Sequence, residues 1–167
     1  MSHLDHRATS PASIGCAIVP VSDTRTIDTD TGGAAIISLL IEHGHAVIDR
    51  AIVRDEPDTL RGVLETLLAR GDVQAVITTG GTGITSRDGT FEVVSSFLEK
   101  TLTGFGELFR MISYQEIGAA AMMSRATAGI ARRKILIALP GSEHAVRLAM
   151  TKLVLPELGH LVREASR

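Results

Sequence analysis

Short apolar runs alternate along this chain with longer stretches in which apolar residues recur every three or four positions. Residues 14–21 (IGCAIVPV) predict a first strand, with Pro20 marking a strand end or an edge position. A first helix is predicted over residues 34–43, preceded by the cap-type residues Asp28, Thr29 and Asp30 and stopped by Gly44. Residues 45–53 predict the second strand. Pro57, with acidic neighbours, opens a second helix in which Leu60, Val63, Leu64, Leu67 and Leu68 form one apolar stripe. The stretch 73–90 (VQAVITTGGTGITSRDGT) then reads as a β-branched strand running into a glycine turn and a new helix start.

Phe91, Val94, Phe97 and Leu98 mark the third helix, and residues 104–117 a fourth, with Phe105, Leu108, Phe109 and Ile112 on one face. Residues 126–138 predict strand, tight turn, strand; so short a link requires an antiparallel pair. A last helix carries Val146, Ala149, Met150, Leu153 and Val154, with Pro156 as a kink or restart. The expected architecture is a three-layer α/β/α fold, a mainly parallel sheet plus an antiparallel hairpin. Residues 1–13 are expected to be a flexible tail and residues 14–167 one domain.

Composition narrows the function classes. The 167 residues are 44% hydrophobic and 22% charged, ordinary for a globular protein. A net charge of −2 and an aromatic content of 3% argue against a nucleic-acid binder built on basic patches or stacking platforms. The single cysteine, Cys16, excludes a disulfide framework or a Cys-based zinc site and reads as a core thiol. No apolar run reaches membrane-spanning length and no signal peptide is visible, so the expectation is a cytoplasmic protein with no membrane partner. The histidines are scattered without ligand spacing, Met122-Met123 reads as core packing, and Arg132-Arg133-Lys134 as a solvated hairpin.

Gly80, Gly81 and Gly83, between a strand and a helix start, form a candidate anion site. A Walker A loop is excluded because no lysine lies between Gly80 and Gly89. A dinucleotide fingerprint fails because Ser86 stands where the third glycine belongs, and because the loop follows the third strand instead of the first. In a parallel sheet, Ser22-Asp23, Arg54-Asp55, the stretch from Thr79 to Asp88, and Gly141-Ser142 would gather along one edge. Carboxylates beside a phosphate site call for Mg²⁺, which takes one or two carboxylates plus phosphate oxygens, and favour phosphoryl or nucleotidyl transfer. The bland alternative is that Asp55, Asp88 and Ser142 merely cap the helices that follow them.

The segments TTGGTGITSRD, GFGELFRMISYQEIGAAAMMSRATAGI and LPGS resemble the molybdenum cofactor biosynthesis protein B / molybdopterin adenylyltransferase family. VSDTR, DTGG and AIVRDEPD are similar to the same family. The resemblance implies a homotrimer or homohexamer. It implies adenylyl transfer from Mg-ATP to molybdopterin with release of pyrophosphate, and a downstream molybdate-inserting enzyme as a further partner. A non-catalytic molybdopterin-binding member is the alternative. Carried over, Gly80, Gly81, Thr82 and Gly83 would bind the substrate, Ser22, Asp23, Gly141 and Ser142 would complete the pocket, and Asp55 and Asp88 would be catalytic and hold Mg²⁺. Two departures stand out: Phe91 follows Thr90 where the family has proline, and Glu143-His144 follows Ser142, placing negative charge near the expected phosphates.

Overall fold

In the computed structural model, which describes residues 10–167, the apolar runs and stripes resolve into two helical layers around one sheet. The elements are β1 (Gly15–Pro20), α1 (Thr31–Glu42), β2 (Ala46–Arg50), α2 (Pro57–Ala69), β3 (Ala75–Thr79), α3 (Thr90–Phe97), β4 (Lys100–Thr101), α4 (Thr103–Ile117), β5 (Thr127–Ala131), β6 (Lys134–Leu139), α5 (Glu143–Ala149) and α6 (Leu155–Ser166). Strand order is β2-β1-β3-β6-β5-β4. The first four strands are mutually parallel, and β5 and β4 extend the sheet in antiparallel fashion. The three-layer expectation and its hairpin are both met.

Strand β1 shows why the fold has two apolar faces. Cys16 and Ile18 enter the core beneath α1, α5 and α6, whereas Ala17 and Val19 enter the core beneath α2 and α3. A strand whose two sides are both covered must be apolar at every position. The α2 stripe buries Leu60, Leu64, Leu67 and Leu68. Each contributes roughly 1.5–3 kcal/mol of transfer free energy against ordering costs. Cys16 is a buried core thiol, its pKa pushed up to about 12 by desolvation.

The structure departs from expectation where buried polar groups intervene. Helix α1 begins at Thr31, before residue 34, because the buried Asp30 carboxylate accepts the Gly33 N–H at 2.9 Å and pairs with Arg50 at 2.9 Å. A side chain on Gly33 would collide with that carboxylate. Strand β2 is shorter than residues 45–53, although Val53 still bridges to Val21. Met122 and Met123 are exposed in a 3₁₀ segment, Gly118–Met123, and do not pack in the core. Lys134 is not solvated: its ammonium donates to the carbonyls of Arg70 and Val73. Pro156 marks a restart, as expected: a π turn, Met150–Val154, precedes it, and α6 begins at Leu155 with Pro156 in its first turn, where the missing N–H costs no helical bond. Of the expected tail, residues 1–9 and their His3 and His6 lie outside the described residues, while the Pro11 carbonyl sits against Gly159 of α6.

Candidate functional site

All four parallel strands end on the same edge, and their ladders continue past the strands themselves. Val21 N–H donates to Thr79 O at 2.8 Å, Ser22 N–H to Val53 O at 2.9 Å, and Gly80 N–H to Leu139 O at 3.0 Å. The loops carrying Ser22-Asp23, Asp55, Gly80 to Asp88 and Gly141-Ser142 therefore start from adjacent, fixed points, as sequence reading expected.

A concavity results, of about 170 Å³, lined by Ser22, Arg25, Asp30, Thr79, Gly80 and Gly141 among others. Ser22 Oγ accepts from the backbone N–H groups of Thr24 and Arg25, which shapes the loop at its rim. Arg25 donates to Gly141 O at 3.1 Å and stands 3.9 Å from Asp30, whose charge Arg50 already meets at 2.9 Å. Arg25 therefore retains positive charge for the pocket. Glycine is required at position 80, where φ is +96° and a Cβ would collide with Val21 O.

Beside it, Gly81 takes φ +67°. A Cβ there would run into Thr90 Oγ1 and approach Asp55 Oδ2 at 3.2 Å. Thr90 Oγ1 is buried and has no hydrogen-bond partner. An unpartnered hydroxyl oxygen and a carboxylate oxygen thus both lie close against Gly81 and crowd the position its Cβ would take. Desolvation raises the Asp55 pKa, and the charges of Asp88 and Asp23 raise it further against an opposing hydrogen bond from Gly89. No cation among the described residues forms an ion pair with Asp55. Hard oxygen donors carrying unbalanced negative charge fit Mg²⁺.

Asp88 and Asp23 are differently employed. Asp88 Oδ2 accepts from Thr85 N–H at 2.9 Å and from Thr85 Oγ1 at 2.6 Å, and these bonds hold its pKa below the usual carboxylate value. Asp23 accepts the Asp55 N–H at 3.1 Å and pairs with Arg87 at 2.6 Å, so it latches three loops together; the Arg87 bond lowers its pKa. Neither Asp55 nor Asp88 caps a helix: the N-cap residues of α2 and α3 are Glu56 and Gly89. Ser142 does cap α5, accepting the Ala145 N–H at 3.2 Å. Glu143 pairs with Arg147 at 2.9 Å along α5, which offsets the charge that the sequence placed beside this loop.

Thr90, Arg25 and Arg125 were not singled out from the sequence. Arg125 is the brace of the glycine loop. Its backbone N–H reaches Thr82 O at 3.3 Å, its Nε reaches Gly83 O at 2.8 Å, and its Nη2 reaches Asp88 O at 3.2 Å. Glu92 balances its charge, and its guanidinium lies 5.1 Å from the Phe91 ring centroid. The one available signal was its place in the SRATAGI segment. Among the described residues no group of three or more His, Cys, Asp or Glu side chains is arranged to hold a metal, and no helix is long and apolar enough to cross a membrane.

Known proteins are similar to this chain in sequence and fold. Residues 17–160 match a family model described as a probable molybdopterin binding domain. The chain is 49% identical over 168 residues to molybdenum cofactor biosynthesis protein B of Bacillus anthracis, covering 100% of this chain and 99% of that protein. The corresponding protein of Bacillus subtilis is 48% identical over 166 residues, covering 98% of this chain and 97% of that one. A crystal structure of a molybdenum cofactor biosynthesis protein B superposes with a TM-score of 0.90 at 50% identity, covering 94% of this chain and 98% of that one. A tungsten cofactor synthesizing protein of Pyrococcus furiosus superposes with a TM-score of 0.81 at 34% identity, covering 95% and 100%.

Proposed function

The chain belongs to the molybdopterin-binding domain family of molybdenum cofactor biosynthesis proteins, and from that premise we propose that it adenylylates molybdopterin at the expense of Mg-ATP. The terminal phosphate of molybdopterin attacks the α-phosphorus of ATP, a new P–O–P link forms, and pyrophosphate leaves. The observation that carries this reading is the cluster at Gly81. It combines a left-handed glycine backbone, an unpartnered Thr90 hydroxyl and an Asp55 carboxylate without an ion-pair partner among the described residues.

In this reading the protein contributes positioning and charge, and needs no covalent nucleophile. The glycine loop lets phosphates approach the backbone where any side chain would block them. Arg25 and the Ser22 and Gly141 loops hold one anionic substrate in the concavity they line. Asp55, with Asp88, would hold Mg²⁺, which when bound neutralises phosphate charge and polarises the reacting phosphorus. Asp88 also keeps the loop in shape through Thr85, so its role divides between charge and geometry. Arg125 fixes Gly83 and the Asp88 backbone against each other.

The test is pyrophosphate release from Mg-ATP by the purified protein, with and without molybdopterin. Release that requires both substrates and falls about 100-fold in Asp55→Asn is expected. Tight molybdopterin binding without release would move the protein to the binding-only class.

An oligomer, as the resemblance implies, has support from one surface. Leu108, Met111, Tyr114 and Ile117 of α4, with Met122 and Met123 beyond it, are exposed apolar side chains along one contiguous stretch. A second copy of this chain is the proposed cover, since such patches are rare on monomers. Tyr114→Glu is expected to shift the mass measured by light scattering toward the monomer.

A further inference from the structure

A cavity beside Arg125, the brace of the glycine loop, carries two arginines. It measures about 350 Å³ and is lined by Arg110, Arg125, Ser124, Phe91, Thr103 and Met122 among others. Its two arginines are in different states. The Arg125 charge is met by Glu92. Arg110, half-buried, has no carboxylate partner among the described residues, and its only hydrogen bonds are long ones, 3.4 Å each, to the carbonyls of Ser124 and Ala126.

A second orphan faces the same wall. Ser124 Oγ is buried and has no hydrogen-bond partner. A buried polar atom left unpaired costs about 1–3 kcal/mol, so the arrangement is unfavourable unless something else completes it. Gly106 protects the space: a Cβ there would lie 2.7 Å from Arg110 Nη2 and 3.0 Å from Ala126 O. The N-terminus of the fifteen-residue helix α4 opens nearby, and its N-cap, Leu102, offers no side-chain bond to the first-turn N–H groups. The site thus offers a guanidinium without a carboxylate partner and an unpartnered hydroxyl, with Phe91 and Met122 as apolar walls.

We propose that this cavity is a second binding site, for the phosphoryl group or a similar doubly charged tetrahedral oxyanion of a small ligand, with Arg110 and Ser124 as its recognition residues. The chemistry is that of guanidinium and hydroxyl donors on phosphate oxygens. The site stands whether or not the protein adenylylates anything. Because Arg125 lines it and also braces Gly83 and Asp88, an anion bound here contacts the same side chain that shapes the glycine loop.

Titration of the full-length protein with inorganic phosphate at constant ionic strength, followed by amide chemical shifts, tests this. Saturable shifts at residues 103–106 and 124–126 are expected, weakened about tenfold or more in Arg110→Gln. Ser124→Ala provides the control against misfolding: it removes an orphan, so it should leave thermal stability equal or higher while phosphate affinity falls several-fold. Competition by ATP or AMP for the Arg110-dependent shifts would identify a phosphate ester as the occupant. Arg110-dependent binding of inorganic phosphate without such competition would identify the free anion, and either result supports the site. Absence of saturable shifts there, or the same affinity in Arg110→Gln, overturns it.

Discussion

Among the turns that take left-handed backbone, two are built from opposite residues. At the site, Gly80 and Gly81 take φ of +96° and +67°. At the β5–β6 hairpin, Arg132 and Arg133 take φ of +49° and +63° in a two-residue turn, where Asn-Gly is the usual choice. Side chains are tolerated at the hairpin because the space is open and each arginine finds company. Arg132 N–H donates to Glu99 Oε1 at 2.7 Å, its guanidinium meets Glu65 and lies 5.9 Å from the Phe97 ring, and Arg133 reaches the Ser166 carbonyl. At the site a Cβ on either glycine would collide with Val21 O or Thr90 Oγ1. Positive φ alone therefore does not explain glycine here; crowding by Val21 O and Thr90 Oγ1 does.

The strongest way to break that comparison is Gly81→Ala. The left-handed backbone costs roughly 1–2 kcal/mol, and displacing buried Thr90 adds to it, for a total loss of about 2–4 kcal/mol in urea denaturation. A loss under 1 kcal/mol would mean that Thr90 turns aside freely, and that crowding does not explain the glycine.

Next in size is the effect of Asp55→Asn, which opposes activity to stability. Asp55 has a folded-state pKa raised by desolvation and neighbouring carboxylates. Its ionised form is therefore less favourable in the folded protein than in the unfolded chain. That penalty is absent below the unfolded pKa, grows as pH rises through the window up to the folded pKa, and is complete above it. Asp55→Asn should melt at a higher temperature than the parent at neutral pH, with the difference vanishing toward low acid pH, while pyrophosphate release falls about 100-fold. Asp88→Asn provides the contrast: its pKa is lowered by Thr85 bonds, so losing that charge should destabilise at neutral pH, and the difference should shrink as pH falls through the folded pKa.

The same contrast explains what the sequence could disclose. Strand runs, the α2 stripe and the glycine loop announce themselves locally, because burial on two faces, on one face or on none leaves a different period in the chain. Asp55 and Asp88 could be found because they sit at strand and loop ends whose positions follow from a parallel sheet. Arg125 could not, since it acts on Gly83 from 42 residues away. Thr90 read as an ordinary helix start, and only its lack of a partner next to Gly81 gives it significance. Met122-Met123 misled for a related reason: an apolar pair is equally consistent with a core and with a surface awaiting a partner.

The smallest expected effect has the most to say about the hairpin. Arg133→Gly relieves a left-handed side chain, worth roughly 1–2 kcal/mol, but frees the unfolded chain by about 0.4–1 kcal/mol and gives up the contact with the Ser166 carbonyl. That contact is solvent-exposed, so its loss costs little, and a net gain of about 0.5 kcal/mol is expected in urea denaturation. A clear loss instead would show that Arg133 ties the hairpin to the end of α6, making the turn a structural clasp. The two left-handed turns would then be alike in being held by their surroundings, with the hairpin drawn in by an attraction and the glycine loop fixed by a shortage of room.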